Sequence, residues 1–218
     1  MRQDVVQDVV QDGSRNAPVA PSIVSPVTLT GDHVTLEPLH PDHAEPLKAA
    51  VRDGDLWKLW HAKIPSPDEM TSDITRRLRL QAEGTMLPFT VRRNDNGEMC
   101  GMTTYMNVDN TNRRIEIGST WYAQSVQRTG INTEAKLLLL SHAFDRLECI
   151  AVEFRTSSFN AASRAAIARL GARQDGILRN HQRHLDGTLR DTVVFSILQS
   201  EWPTVRSHLQ SRLDAATS

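Results

Sequence analysis

The stretch QRTGINTEA, residues 127–135, separates a strand-like run at Arg114–Tyr122 from a long apolar, helix-like run at 131–147. A loop in this position leaves several backbone N–H groups unpaired at the positive end of a helix, where a phosphate binds readily. Gly130 has no Cβ, so the backbone there can approach a ligand closely. We interpret the stretch as a pyrophosphate-binding loop; the alternative is an ordinary strand-to-helix turn.

The loop lacks the two common nucleotide-binding motifs. It contains no G-x-G-x-x-G, so the dinucleotide fingerprint is absent, and no G-x-x-x-x-G-K-[ST], so a nucleoside triphosphate with magnesium is disfavoured. The remaining expectation is a pyrophosphate that is held mainly by main-chain N–H groups.

Upstream of the loop, the pattern predicts one strand and two helices. Residues 34–39 alternate like a strand, and His40-Pro41-Asp42 then begins a helical region that runs to about Trp60. Residues 68–83 form a second amphipathic helix. We interpret the basic side of this helix as solvated surface; it carries Arg76, Arg77 and Arg79.

Three further strands are predicted between the second helix and the loop. They lie at 87–93, 98–108 and Arg114–Tyr122, and the turns that join them are short. The first turn reads Asn-Asp-Asn-Gly, a strong hairpin signal. Short links of this kind make an antiparallel meander.

Downstream of the loop, the helix 131–147 leads to a strand at 149–156, in which Ile150, Val152 and Phe154 are expected to share one face. A strand, a helix and a strand in this order form a right-handed parallel crossover. A helix at 160–170, a hairpin that turns at Asp186-Gly187 and a carboxy-terminal helix complete the order. The predicted fold class is α+β, with a central mixed, mostly antiparallel sheet flanked by helices.

Composition limits the function classes. The chain has 218 residues and a formal net charge of -1, which suits one domain and gives no reason to expect a nucleic-acid or membrane partner. Cys100 and Cys149 lack a C-x-x-C spacing, and no histidine pattern predicts a metal site. Residues 1–26 are expected to be a flexible arm and 27–218 a single domain. Without a signal-peptide pattern, we expect a cytoplasmic protein.

The form Gln-x-x-Gly-x-(small) resembles the acetyl-CoA loop of the GNAT N-acetyltransferases, Gln/Arg-x-x-Gly-x-Gly/Ala. Two ordered segments strengthen the resemblance. The stretch from Asn160 to Gly171 is similar to the family's Asn-x-x-Ser-x-Arg…Leu-Gly helix, and the segment from Gly176 to Trp202 resembles the closing hairpin of the ribosomal-protein N-terminal (alanine/serine) acetyltransferase branch. The resemblance covers roughly residues 27–202. It implies the GNAT acyl-CoA N-acyltransferase fold, acetyl-CoA as the cosubstrate and no metal.

The resemblance also implies which residues bind the cosubstrate. The loop would hold the pyrophosphate, while the strand before it would pair with the pantetheine arm and supply an N–H that polarises the thioester carbonyl. Asn160 would contact the pantetheine arm, although a helix N-cap is the simpler interpretation of this residue. The cofactor-binding residues predicted are Trp121, Gln127, Arg128, Thr129, Gly130, Ile131, Asn132, Thr133, Asn160 and Ser163.

Glu116 is the predicted general base. It alternates with Ile115 and Ile117, so it faces away from the core that these two fill, and a carboxylate there could deprotonate an amine. A sheet-surface glutamate is the alternative. The tyrosine that commonly acts as general acid in the family is replaced by Ile167, which leaves Tyr122 and Ser157 as weak candidates.

The acceptor pocket is predicted from the first helical region and the last hairpin, and its candidate residues are Trp57, Trp60, Arg179 and His181. Core packing is the alternative for the tryptophan pair. The acceptor would be a protein N-terminal amine, a polyamine or another small amine, attacked directly in a ternary complex. Two alternatives remain: a catalytically weak CoA-binding sensor or assembly module, and a covalent acyl-enzyme through one of the cysteines. The branch also implies a homodimer.

Overall fold

The computed structural model describes residues 22–184 and 186–217, and the strands within them form one eight-stranded sheet in the order β1-β2-β3-β4-β5-β6-β8-β7. Neighbouring strands run antiparallel except β5 and β6, which are parallel. This confirms the predicted sheet and its crossover. The strands are β1 (Leu29–Thr30), β2 (Val34–Pro38), β3 (Met86–Arg93), β4 (Met99–Asp109), β5 (Arg114–Tyr122), β6 (Ala151–Ser157), β7 (Arg173–Arg183) and β8 (Leu189–Leu198).

Five α-helices accompany the sheet in the described chain: α1 (Ala44–Arg52), α2 (Met70–Ala82), α3 (Ile131–Ser141), α4 (Ala161–Arg169) and α5 (Trp202–Thr217). The helix predicted at 131–147 changes to a wider π turn at His142–Arg146. None of these helices is long and apolar enough to cross a bilayer.

The two sheet faces are covered by different helices. Arg77 of α2 donates to Thr104 of β4, whereas Lys136 of α3 donates to the next residue back, Thr103. Because successive strand residues point to opposite faces, these contacts define an α2 face and an α3 face of the sheet.

Two irregularities in the pairing of β4 with β5 shape the centre of the sheet. The register shifts between Met102 and Thr104, where Ser119 of β5 has a φ of 51°, and again between Met106 and Asp109, where Asn107 of β4 has a φ of 49°. Left-handed φ values in non-glycine residues are typical of bulges that redirect a side chain.

The first helical region is shorter than predicted. A 3₁₀ turn at Pro41–His43 leads into α1, which ends at Arg52, and Gly54 and Asp55 then take positive φ values of 90° and 51°. Helix geometry cannot continue through two left-handed residues. Trp57 therefore lies in a separate 3₁₀ turn, and Trp60 lies in the loop that follows.

Arg77 was predicted to be solvated, and that prediction is wrong. Its side chain is 1% exposed, and its guanidinium donates to Asp73, Thr104 and Ser119 at 2.6, 2.9 and 2.8 Å. Position 77 follows the buried Ile74 by three residues, so it lies on the packed side of α2. The carboxylate of Asp73 compensates the buried charge.

Two further expectations are corrected. Ile150 precedes β6 and is 50% exposed, whereas Val152 and Phe154 are buried as predicted. The predicted arm 1–26 includes residues that pack on the domain, because Val24 lies in the hydrophobic core and Ile23 N donates to Asn110. Residues 1–21 of that arm lie outside the described residues.

Candidate active site

A gap opens in the sheet between the two parallel strands. β5 and β6 pair only from Arg114 to Glu116, opposite Ala151 to Glu153. From Ile117 to Tyr122 the β6-facing edge of β5 has no strand partner in the described chain. Successive N–H groups of a strand point to opposite edges, so about half of those in this segment face the gap.

Glu116 lies at the point where the gap begins. It pairs with Met106 of β4, which shares the α2 face with Thr104, so its side chain is on the α2 face, opposite Ile115 and Ile117. The orientation inferred from alternation is confirmed, but the side chain is not on an open surface. Glu116 is only 5% exposed.

The two carboxylate oxygens of Glu116 have different surroundings. Oε2 accepts a 2.7 Å hydrogen bond from Asn107 Nδ2 and lies 3.5 Å from Arg155 Nε. Oε1 has no hydrogen-bond donor in the described chain and lies over Gly118, where a Cβ would be 2.8 Å away from it. Gly118 thus provides the space for this oxygen, and Oε1 is the carboxylate oxygen without a hydrogen-bond donor in the described chain.

Burial raises the pKa of Glu116, and the hydrogen bond from Asn107 and the positive charge of Arg155 oppose that rise. A carboxylate with a raised pKa is a stronger base than an exposed one. Perturbed carboxylates of this kind are common in active sites, although buried ion-pair networks produce them as well.

The predicted pyrophosphate loop presents free N–H groups at the start of α3. In the described chain, the N–H groups of Arg128, Thr129, Gly130, Asn132 and Thr133 have no protein acceptor. Two other predicted donors are already engaged, because Gln127 N donates to Gln124 O and Ile131 N donates to Thr129 Oγ1. A cavity of about 410 Å³ borders the loop at Thr129 and Gly130.

Glu134, in the first turn of α3, links the loop by hydrogen bonds to the edge of the sheet that β1 and β2 form. Its carboxylate accepts 2.8 Å hydrogen bonds from the N–H groups of Asp32, His33 and Val34. A Cβ at Gly31 would lie 2.5 Å from its Cδ, so this turn requires glycine. The loop is therefore held by the turn between β1 and β2.

Asn160 caps α4, because its side chain accepts a hydrogen bond from Ser163 N. Its Nδ2 has no acceptor among the described residues and is available to a ligand. Ile167, at the position where the family commonly has a tyrosine, is buried and supplies no proton donor.

Trp121 and Tyr122 lie on opposite faces of β5. Trp121 pairs with Met102 on the α2 face, and Tyr122 pairs with Gly101 on the α3 face, so the Tyr122 side chain is on the side opposite Glu116. Trp121 Nε1 and the Tyr122 hydroxyl are both buried without a partner in the described chain. Burial raises the pKa of Tyr122 well above its ordinary value.

The predicted acceptor residues fall into two groups. Trp57 packs against the hydrophobic core, whereas Trp60 is 52% exposed and its ring lies 5.5 Å from Phe159 and 5.0 Å from His184. On the hairpin, Arg179 pairs with Asp191 and His181 Nδ1 lies 3.1 Å from Thr192 Oγ1. Trp60 thus connects the α1–α2 loop, the β6–α4 loop and the last hairpin.

The two cysteines are poor nucleophiles. Both are buried, and burial raises the pKa of each thiol to about 11. Little thiolate exists at neutral pH under these conditions, which argues against a covalent acyl-enzyme.

Several residues at the site were not predicted from the sequence. Asn107, Arg155 and Arg190 reach Glu116 or act on it electrostatically from three different strands. Asn107 and Arg155 belong to no motif, and Arg190 lies in the segment that resembles the closing hairpin but was not assigned a role at the site. Gly118 carried a usable signal, because a glycine inside a strand often marks a close approach.

Comparisons with known proteins agree with this geometry. The chain matches the acetyltransferase (GNAT) domain over residues 33–173. It is 36% identical over 106 residues to the Bacillus subtilis protein named "Putative ribosomal N-acetyltransferase YdaF", an alignment that spans 49% of this chain and 57% of that protein, little more than half its length. A GCN5-related N-acetyltransferase from Brucella melitensis superimposes with a TM-score of 0.78 at 30% identity, covering 87% of this chain and 86% of that one.

A further solved structure, Mycobacterium smegmatis RimJ in complex with CoA-disulfide, is 25% identical with a TM-score of 0.72 over 86% of this chain and 95% of that one. The domain match covers well over half of the sequence, and the solved structures superimpose over most of this chain. The chain belongs to the GNAT family of N-acetyltransferases.

Proposed function

We propose that the protein transfers an acetyl group from acetyl-CoA to a primary amine by direct attack in a ternary complex. The observation that carries the proposal is Glu116, a buried carboxylate with one free oxygen at the point where β5 and β6 separate. A base at the mouth of the gap is what the deprotonation of an amine beside a thioester requires.

The residues around the gap divide the chemistry between them. Acetyl-CoA supplies the acyl group as a thioester, and when the amine nitrogen forms its bond to the carbonyl carbon the C–S bond breaks and the CoA thiolate leaves, to be protonated by water. Oε1 of Glu116 takes the proton that an ammonium acceptor must lose, directly or through water, before its nitrogen can attack. Unpaired N–H groups on the edge of β5 polarise the thioester carbonyl, and holding both substrates in the gap contributes proximity.

The loop and α4 are proposed to hold the donor. Five free N–H groups between Arg128 and Thr133, at the positive end of α3, suit a pyrophosphate. The free amide of Asn160 would contact the pantetheine arm, and Ser163 lies in the first turn of the same helix. The fit therefore rests on main-chain donors, with Arg128 as the nearest charged side chain in the loop.

The preferred acceptor is a protein N-terminal amine. The name of the relative YdaF and the resemblance of the closing hairpin to the ribosomal-protein branch support it. A polyamine or another small amine is the competing acceptor. A homodimer remains a prediction, which light scattering of the purified protein would test.

The test is a titration of acetyl-CoA into the purified protein, with thiol release followed in parallel over peptides, polyamines and small amines. Micromolar binding with turnover of one amine class is the expected result. Binding without turnover of any amine would favour the sensor module instead. Absence of binding would contradict both functions, because each depends on the phosphate loop.

A further inference from the structure

The carboxylate of Glu116 belongs to a charged cluster on the α2 face. Glu153, its partner on β6, accepts hydrogen bonds from Arg114 and Arg155, and Arg155 also approaches Glu116. A third arginine, Arg190 of β8, acts electrostatically on Glu116 and lowers the pKa of that carboxyl. The cluster therefore has three positive and two negative groups.

Arg190 is the member of this cluster without an ionic partner. In the described chain it takes part in no ion pair, and its one hydrogen bond runs from Nη1 to Gln182 Oε1 at 3.2 Å. Its Nε is buried with no acceptor. Burial without a partner is costly for a cationic donor, and burial lowers the pKa of Arg190 accordingly.

The strand register places Arg190 on the same face as Glu116. Glu116 pairs with Glu153, and Glu153 pairs with Ser196 of β8. Counting along β8 by twos from Ser196 reaches Thr192 and then Arg190, so all of these side chains share the α2 face. Trp121, whose Nε1 is also buried without a partner, lies on that face too, at the other end of the open edge of β5.

These donors limit the chemistry of the acceptor. A protonated polyamine brings further positive charge and N–H donors, which can neither accept from Arg190 Nε nor coexist easily with its charge. A molecule with a carbonyl or carboxylate oxygen next to its amine supplies what is missing. Its amine would then face Glu116 while its oxygen faces Arg190.

We infer that Arg190 determines acceptor specificity by hydrogen-bonding an oxygen on the carbon next to the one that bears the amine, so that the acceptor is an α-aminoacyl compound and not a polyamine. The inference rests on the proposed function and deepens it. The same chemistry is offered by a peptide N-terminus and by a free amino acid, which the test separates.

The experiment compares Arg190→Met, Arg190→Lys and the wild type on four acceptors: an alanyl tetrapeptide amide, free alanine, ethylamine and spermidine. Ethylamine is alanine without its carboxyl group. Arg183→Met is the matched control, because Arg183 lies on the same hairpin and donates to Gly187 O in the turn. Acetyl-CoA affinity and the urea midpoint report whether each variant keeps its fold and its donor site.

We expect Arg190→Met to lower kcat/KM roughly tenfold or more for whichever α-aminoacyl acceptor the wild type prefers, as loss of a hydrogen bond to a charged group does. The value for ethylamine should change less than about twofold, and Arg190→Lys should retain part of the preference. In Arg190→Met, the acid limb of the pH profile should also move to higher pH, both with the α-aminoacyl acceptor and with ethylamine, because the charge that lowers the pKa of Glu116 is gone.

Preference for the peptide would assign the site to a protein N-terminus, and preference for alanine would assign it to an amino acid. An equal loss on the aminoacyl compound and ethylamine, or no loss at all, would overturn the inference. So would a wild type that acetylates spermidine or ethylamine better than either aminoacyl compound, and in that case the proposed acetyl transfer would stand. No thiol release with any amine would instead reject the proposed function itself.

Discussion

Asn107 Nδ2 donates a 2.7 Å hydrogen bond to Glu116 Oε2 across the pair formed by β4 and β5. Asn107 reaches this position from a bulge, with a φ of 49° that asparagine tolerates better than most residues. The bond fixes one oxygen of the carboxylate and leaves the other over Gly118. The bulge and the glycine together determine which oxygen is left without a hydrogen-bond donor.

Replacing Asn107 should slow turnover without weakening acetyl-CoA binding. We expect Asn107→Ala and Asn107→Gly each to lower kcat about thirtyfold, because a hydrogen bond to a charged group is worth about 2 kcal/mol. The acid limb of the pH profile should move to higher pH in both variants, because the lost hydrogen bond lowers the pKa of Glu116. Glycine adopts the positive φ of the bulge without strain. A wild-type kcat in Asn107→Gly would therefore mean that turnover depends on the backbone conformation at this position and not on the side-chain hydrogen bond to Glu116.

Glu116→Gln tests the general base. The wild-type rate should fall as the pH drops through the raised pKa of Glu116, because the carboxylate takes up a proton and can no longer accept one. In the variant, kcat should be lower by about 10²–10⁴-fold and this limb should disappear. Glu83→Gln, an exposed carboxylate paired with Arg79, is the control.

The stability of Glu116→Gln distinguishes a catalytic loss from an unfolded protein. A raised folded-state pKa means that ionisation of Glu116 costs stability once the pH exceeds its unfolded pKa. The neutral glutamine avoids this cost, so its urea midpoint at pH 7 should equal or exceed that of the wild type. A large loss of stability in Glu116→Gln would contradict the conclusion that burial destabilises the ionised form of Glu116.

Gly130→Ala separates ligand approach from folding. Gly130 has helical dihedrals, φ -66° and ψ -17°, and an added Cβ would lie 3.7 Å from Leu213, an ordinary contact. Stability should hold or rise by about 0.4–1 kcal/mol. Acetyl-CoA affinity should fall about tenfold if the phosphates approach this backbone. Gly176→Ala, with nothing within 4 Å of the added Cβ, is the control; equal affinity in both variants would place the phosphates elsewhere.

Lys136 should lower stability at neutral pH. It is buried between α3 and the sheet, its Nζ donates to Thr103 and Thr120, and burial lowers its pKa to about 7. The unfolded chain binds this proton at pH values where the folded one does not. The resulting loss of stability therefore grows as the pH falls from about 10.5 to about 7 and is constant below.

We expect Lys136→Met to be more stable than the wild type at pH 7, by on the order of 1–3 kcal/mol, and the difference to shrink towards pH 10. The hydroxyls of Thr103 and Thr120 keep their 2.8 Å bond to each other after the change. Urea denaturation at the two pH values measures the effect. If Lys136→Met were less stable than the wild type at pH 7, the hydrogen bonds of Lys136 would stabilise the fold by more than the burial of its amine costs.

Local signals predicted much of the fold. Asn94 to Gly97 turn the β3–β4 hairpin, Asn160 caps α4, and Gly171 ends that helix with a φ of 95°. Each of these features depends on residues near each other in the chain. The burial of Arg77 does not, because two of its partners, Thr104 and Ser119, lie far away in sequence and come close only in the folded sheet.

The candidate site follows the same division. Alternation along β5 predicted the side to which Glu116 points, and the strand-to-helix order predicted the free N–H groups of the loop. Burial raises the pKa of Glu116, and the groups that oppose this rise, Asn107, Arg155 and Arg190, lie on three other strands. No single-sequence pattern encodes such contacts between strands.

The short pairing of β5 with β6 divides the sheet into two panels. β1 to β5 lead into the loop at residues 127–133, and β6 to β8 carry the hairpin with Arg190. Three residue pairs form the seam between the panels. A molecule bound in the gap would contact both panels, so its size would limit how far the loop before α3 and the last hairpin can move relative to each other.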